Sequence, residues 1–494
     1  MPKLMKMRKL LLLLLFHLAF CTSADAFQAP ARVIISHKSL TITKRSTHVL
    51  FQSNEINHED NESGSIAGAS LLFAGTAVGA GMIALPAETF AAGFIPSISG
   101  LSVCWLFTYV TSMLTLEASW LASQIDKEEH DDNNGGGFLS ISKMALGVPG
   151  EVITAALFWL LLSAIVVAYT AEGGQLIAQF ANEFTDTTTI TPTIGSLLFA
   201  SSFASFAIAG TSRVDIINRV FVIGLVGSFI CIVANISPSI QVSNLLSHSD
   251  WTAVYPAGIS VGILSFGAQN VVPTILQYLD YDSKKTQKAI LLGSLIPLLL
   301  YSIWEAVFLG IIDVSSVDSN SMEVVNVLGS VGGTTVTDLV ELFSICAIGS
   351  SMAGASVSLV DFFEDAIGLL SKEDDPESKA EEMQASNNSV GLGTRTIAAL
   401  FALTPPVFIS YAFPDVFLTA LEEAGLLGGV SLYGILPALC LISLRSVDSE
   451  SDTTAMPERL GGGKVTLFAL LVISSALVLP EIAHVGRLVI DKLH

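Results

Sequence analysis

The sequence predicts an all-α integral membrane protein of about eleven membrane-crossing helices, arranged as a 5+5 inverted repeat plus one additional helix. Three observations predict it. Apolar residues make up 51% of the 494-residue chain and charged residues 14%, with a mean hydropathy of +0.65; a soluble chain carries roughly 25% charged residues. Basic residues alternate strictly between the loops that join the apolar stretches. Two of those stretches, Ala74–Pro86 and Gly262–Pro273, are interrupted by Gly and Pro at matching places, where a helix prefers neither.

Runs long and apolar enough to cross a bilayer fall at 65–89, 94–122, 151–180, 192–212, 215–237, 253–279, 287–312, 339–369, 394–413, 415–444 and 465–490. Loop charge tests this map. With the N-terminus inside, the inside loops hold Lys127 and Lys143, Arg213 and Arg219, and Lys284, Lys285 and Lys288. Lys372, Lys379 and Arg395, then Arg445, Arg459 and Lys464, complete the set, and the outside loops between spans hold none. One miscounted span would scramble that alternation. The first break then lies in span 1 and the second in span 6. Because five is odd, spans 1–5 and 6–10 run in opposite orientation, so the two broken helices can meet at the centre.

The N-terminus reads as a leader in two parts. Lys3, Lys6, Arg8 and Lys9 precede the apolar run Leu10–Phe20, which is too short to span a bilayer, and Ala24-Asp25-Ala26 offers small residues for cleavage. Residues 1–26 are therefore expected to be a signal peptide. Residues 27–54 lack acids but carry Arg32, Lys38, Lys44 and Arg45 among Ser and Thr, the composition of a transit peptide. The junction Ala26-Phe27-Gln28-Ala29-Pro30 resembles the bipartite plastid leader of algae with complex plastids. The expected organisation is signal peptide 1–26, transit peptide and linker 27–62, and membrane domain 63–494, in a plastid envelope. A plain secretory-pathway or plasma membrane protein is the alternative.

Of the net charge of −21, −8 sits in two acidic runs, Asp126–Asp132 and Lys372–Glu382, which read as solvated loops. No basic patch points to nucleic acid. The five cysteines form neither a disulfide framework nor a metal spacing. No nucleophile–base pairing of the kind catalysis needs appears in the spans, so neither an enzyme nor a bound cofactor or metal is expected.

A lipid-facing helix cannot leave backbone groups unpaired, so each break must face protein, a cavity or a ligand. Splitting a helix creates a new N-terminus with free N–H groups and positive dipole, and a new C-terminus of free carbonyls. A zwitterion needs both. Its carboxylate suits the N–H groups at Gly79, Ala80 and Gly81; its ammonium suits carbonyls near Thr76–Val78 and Ser265–Gly267. The expected ligand is an amino acid moved across the bilayer, although Gly79-x-Gly81 on its own also fits a close helix-packing surface.

The run Gly75-Thr76-Ala77-Val78-Gly79-Ala80-Gly81-Met82-Ile83-Ala84-Leu85-Pro86 resembles the signature of the tyrosine/tryptophan-specific permeases, the aromatic amino acid permease family. Colinear matches follow: Gly210-Thr211-Ser212, Val214-Asp215, Asn218-Arg219, Ser265-Phe266-Gly267, Val272-Pro273, and Tyr278 with Asp280. Gly293-Ser294, Ile296-Pro297, Trp304, Leu309-Gly310, Asp361 and Pro405-Pro406 continue the series. The resemblance implies eleven spans, a broken-helix inverted repeat, and proton-coupled uptake of tyrosine or tryptophan. The chain departs from the pattern in the long loop between spans 8 and 9, and at Gln175 and Glu305, where the family has Glu and Gln.

Individual side chains extend the site. Phe266 is placed to cover an aromatic substrate ring, or packs as one of 27 phenylalanines. Tyr169, in mid-span 3, is placed to reach a substrate carboxylate, or is a core tyrosine. Gln269 and Asn270 contact substrate or cap the second half-helix. Proton coupling needs a buried titratable group. Histidine is absent from the spans except His484, which leaves Glu117, Glu172, Glu305 and Asp361. Glu172 lies at helical i+3 spacing from Tyr169. Glu117 and Asp361 read alternatively as structural partners of Arg213 or Arg219. Ser350 and Ser351 would ligate sodium if sodium were the coupling ion. Rival readings are a sodium-coupled carrier for another neutral amino acid, an ion channel, and a receptor that keeps the fold without transport.

Overall fold

The computed structural model describes residues 64–79, 81–129, 137–185, 190–209, 211–311, 324–371, 389–448 and 463–493. The expected signal and transit peptides, and Ala80, lie outside the described residues. Among those described, ten helices are long and apolar enough to cross a membrane, and a bent pair makes an eleventh span. The mid-span faces that remain exposed, at Val103, Leu106, Ile223, Ile230, Leu299 and Phe408, are apolar, as a lipid-facing surface requires.

Span 1 is two helices, α1 (Ile66–Ala77) and α2 (Gly81–Thr89), bent by 55°. Ser65 caps α1 by accepting from the Gly68 N–H at 3.0 Å. Val78 turns out of the helix with ψ 117°, and Pro86 removes one ladder donor from α2. Span 2 is α3 (Phe94–Glu129), span 3 lies within α4 (Phe138–Thr185), and spans 4 and 5 are α5 (Pro192–Ala209) and α6 (Thr211–Ile236). After a short α7 (Val242–Ser247), span 6 is again split, into α8 (Ala257–Ser265) and α9 (Val272–Tyr278). Between them Phe266-Gly267-Ala268 is not helical, and Pro273 sits in the first turn of α9, where its missing N–H costs nothing.

Spans 7, 8 and 9 are α10 (Ser283–Ile311), α11 (Val324–Ser371) and α12 (Ser389–Ala412). Asp282 caps α10, its Oδ1 accepting from Lys284 and Lys285 N–H at 3.0 Å each. Span 10 joins α13 (Phe417–Glu423) through a π-helical stretch, Ala424–Ile435, to α14 (Leu436–Asp448). Span 11 is α15 (Lys464–Leu493).

The third helix of each half carries the inverted repeat most visibly. Spans expected at 151–180 and 339–369 are preceded by an extra helical segment, reached through Gly147 (φ 70°, ψ −163°) and Gly333 (φ 69°, ψ −167°). That backbone region is open essentially to glycine alone. The same joint recurs in spans 3 and 8, inside in one half and outside in the other. Five-helix units of opposite orientation produce this pattern.

Candidate functional site

The two breaks face each other. A Cβ on Gly81 would run into the Ser265 side chain, with Ser265 Cβ at 2.8 Å and Cα at 3.3 Å. Only glycine lets the start of α2 approach the second break this closely. A Cβ on Gly79 would meet Ser351 Oγ of span 8. Ser351 in turn hydrogen-bonds the Tyr169 hydroxyl of span 3. Gly267 packs against the Tyr433 ring of the π-helical stretch. Spans 1, 3, 6, 8 and 10 thus converge around the breaks.

A residue the sequence reading did not single out ties them together. Tyr301, fully buried on α10, has its hydroxyl 2.8 Å from the Ala77 carbonyl and 3.1 Å from the Ser265 carbonyl. These are the last carbonyls of α1 and α8, the C-terminal ends of both broken helices. The Gly79 N–H also bonds this hydroxyl. Its ring meets Phe266 edge to face, centroids 5.3 Å apart. A signal was present: Tyr301, Trp304, Glu305 and Phe308 recur at i, i+3, i+4 and i+7 and are all fully buried, so one face of span 7 is a protein-facing stripe.

The other expected site residues are placed as follows. Phe266 is buried at the centre of the second break. Thr76 is turned back, its Oγ1 donating to Leu72 O at 2.9 Å, and Ser265 Oγ likewise donates to Val261 O at 2.7 Å. Their backbones, rather than their hydroxyls, are what the site presents. Gln269 is fully buried and reaches span 2, its Nε2 donating to Thr111 Oγ1 at 3.0 Å and Thr108 O at 3.3 Å. It therefore fixes the unwound segment to its neighbour, with partly buried Asn270 beside it.

The four acids divide sharply. Glu117 forms a two-pronged ion pair with Arg445 of span 10, at 2.7 and 2.8 Å. Asp361 pairs with Arg395 of span 9 at 2.6 Å, and the same guanidinium bonds Glu364 at 2.7 Å and, through Nε, Ala207 O at 2.8 Å. Both are interhelical ties, with Arg445 and Arg395 in place of the expected Arg213 or Arg219. Both pairs are at least partly buried and join separate helices, as structural ties do. Glu172 lies partly buried, one turn beyond Tyr169.

Glu305 differs. It is fully buried, and its two oxygens each lie 3.0 Å from Thr89 Oγ1, at the end of α2. No cation lies within ion-pair distance of it among the described residues. Ser350 Oγ donates to Asn218 Oδ1 at 2.7 Å, while Ser351 turns to Tyr169. The two serines point to different partners.

The start of α2 and two helix-ending carbonyls therefore lie together at the breaks. That arrangement suits a small zwitterion. Comparison with known proteins shows the family. The tyrosine-specific transport system 1 of Haemophilus influenzae is 27% identical over 415 residues, covering 82% of this chain and 94% of that protein. The tryptophan-specific transport protein of the same organism is 26% identical over 428 residues, covering 83% and 95%. The crystal structure of MhsT in complex with L-phenylalanine superposes with a TM-score of 0.51 at 14% identity, covering 85% of this chain and 98% of MhsT, and so shares the fold. With residues 62–480 matching the family's sequence model, the chain belongs to the tryptophan/tyrosine permease family.

Proposed function

We propose that this protein is a proton-coupled secondary transporter of tyrosine and tryptophan, working by alternating access around the two helix breaks. The observation that carries the reading is the convergence of the Ala77 and Ser265 carbonyls with Gly79 and Gly81 around the two breaks. The ammonium is held by the two helix C-termini and the carboxylate by the N-terminus of α2. The names of the relatives supply the aromatic side chain. Glu305 is the proton carrier: a carboxyl buried beside one hydroxyl, with no counter-cation among the described residues, is costly to keep charged. Ser350 and Ser351, committed to separate partners, give sodium no converging ligand pair.

The test is uptake of labelled Tyr, Trp, Phe and Leu into proteoliposomes under separately imposed pH and sodium gradients. Saturable uptake of Tyr and Trp, driven by an acidic exterior and stimulated by unlabelled substrate on the far side, is expected. Non-saturating flux would mark a channel, binding without flux a receptor, and uptake driven only by sodium would overturn the proton assignment.

The leader completes the proposal. Residues 1–26 act as signal peptide and 27–62 as transit peptide, delivering the carrier to a plastid envelope. A fluorescent protein fused behind residues 1–62 should accumulate in the plastid, and changing Phe27 to Ala should divert it to the secretory route. Retention in the endoplasmic reticulum by the unchanged leader would favour the alternative location.

A further inference from the structure

We infer that Tyr301 is a positioning residue for the ligand's ammonium group, holding the ends of both broken helices at the spacing one cation can bridge. The inference rests on the amino acid reading above and names a side chain that neither the family match nor the relatives assign.

The argument is geometric. One hydroxyl oxygen lies 2.8 Å from Ala77 O and 3.1 Å from Ser265 O. Those distances laid end to end cap the separation of the two carbonyls at about 5.9 Å. An ammonium accepted by two carbonyl oxygens at roughly 2.7–2.9 Å each fits within that limit. A hydroxyl has a single proton, so it satisfies one of the two carbonyls at a time. The other keeps acceptor capacity that an ammonium, with three donors, can use.

The surroundings fix the hydroxyl in place. Tyr301 is fully buried, its ring lies against Phe266 at 5.3 Å, and its oxygen accepts from Gly79 N–H. α10 packs along α1, α2 and α3, so this contact reaches across the break in span 1 from outside it. Without the hydroxyl, nothing on α10 ties Ala77 O to Ser265 O. The two carbonyls are then free to drift apart and Gly79 N–H loses one acceptor, while Gly81 stays where its contact with Ser265 holds it. The defect should therefore fall chiefly on the ammonium end of the ligand, where two carbonyls lose their tie.

Tyr301→Phe tests this, because it keeps the ring and removes only the hydroxyl. The probes are tyrosine and its des-amino analogue, which keeps the phenol and carboxylate but lacks the ammonium, as competitors of labelled tyrosine in proteoliposomes. The expected result is a KM for tyrosine raised about tenfold with the maximal rate within about twofold, the scale of one charge-assisted hydrogen bond. The preference for tyrosine over the des-amino analogue should shrink by a similar factor. Equal weakening of both ligands would show a merely structural role and overturn the inference, as would unchanged discrimination. Should the Phe variant not accumulate, Tyr301→Met carries the same contrast, since a flexible apolar chain fills the space without a donor. Wild-type protein that shows no preference for the ammonium-bearing ligand would instead overturn the amino acid reading itself.

Discussion

Leucine in place of Gly81 is expected to abolish substrate binding and uptake while the protein still inserts and folds in the membrane. The first atom added at this position already meets Ser265, and the contact includes Ser265 Cα at 3.3 Å, which cannot rotate away as a side-chain tip does. Leucine adds three further carbons behind that Cβ. Relief requires α2 to move away from the second break, and the N–H groups proposed to bind the carboxylate move with it. A preorganised site loses roughly a hundredfold in effectiveness for a misplacement of about an ångström, so residual uptake should be at or below about one per cent. The rest of the fold has no stake in this contact. The scaffold ties Glu117–Arg445 and Asp361–Arg395 lie on other helices and stay whole. Binding of labelled tyrosine to purified protein, alongside its elution profile and melting temperature in detergent, checks the prediction. Normal uptake by a well-folded variant would move the substrate site away from the first break.

The breaks were legible in the sequence because their cause is local. Gly79-x-Gly81 and Pro86 in one span, and Gly267 and Pro273 in another, disfavour a continuous helix whatever surrounds them. The inside loops, with Lys127, Arg219, Lys284 and their companions, fixed the number and direction of spans by the same local logic. The joints at Gly147 and Gly333 were harder to read. Each precedes an apolar stretch that hydropathy alone places correctly, and the extra segment before it is too short to register. The π-helical stretch at 424–435 left only a scatter of glycines, Gly425, Gly428, Gly429 and Gly434, which also fits close helix packing.

Side-chain roles were less legible because they depend on which helices become neighbours. Glu117 and Asp361 looked like coupling acids in the sequence, and only the packing of spans 9 and 10 brings Arg395 and Arg445 to them. Tyr301 passed unnoticed for the opposite reason. Its importance comes from two backbone carbonyls on other helices, and a carbonyl leaves no mark in a sequence.

Glu305→Gln should separate substrate exchange from proton-driven accumulation. Glutamine has nearly the shape of glutamate, and its amide N–H can donate to Thr89 Oγ1 as a protonated carboxyl would, so packing at this fully buried site is retained. What it loses is the ability to gain and release a proton. The hydrogen count around Thr89 shows why that matters. Its single hydroxyl proton faces Leu85 O at 2.8 Å as well as both Glu305 oxygens at 3.0 Å. With a proton on the carboxyl, Glu305 donates to Thr89 Oγ1, which donates to Leu85 O, and every group is served. Without it, the carboxylate competes with Leu85 O for one hydrogen, and the end of α2 is held differently. That end leads into the turn Phe90–Ala92, whose carbonyls bond the outer loop through His248 Nε2 and Asp250 N–H at 2.8 Å each. In the proposed mechanism, protonation at Glu305 would be felt where the outer mouth of span 1 meets the loop before span 6. One pH unit is worth about 1.4 kcal/mol per proton, so a carrier moving one proton per substrate should accumulate tyrosine about tenfold across a gradient of one unit, acidic outside. In Glu305→Gln that ratio should fall to about one, while exchange of labelled for unlabelled tyrosine continues at a rate within severalfold of wild type. Accumulation that still follows the pH gradient in the variant would remove Glu305 from the coupling role and leave Glu172, one turn from Tyr169, as the acid to test next.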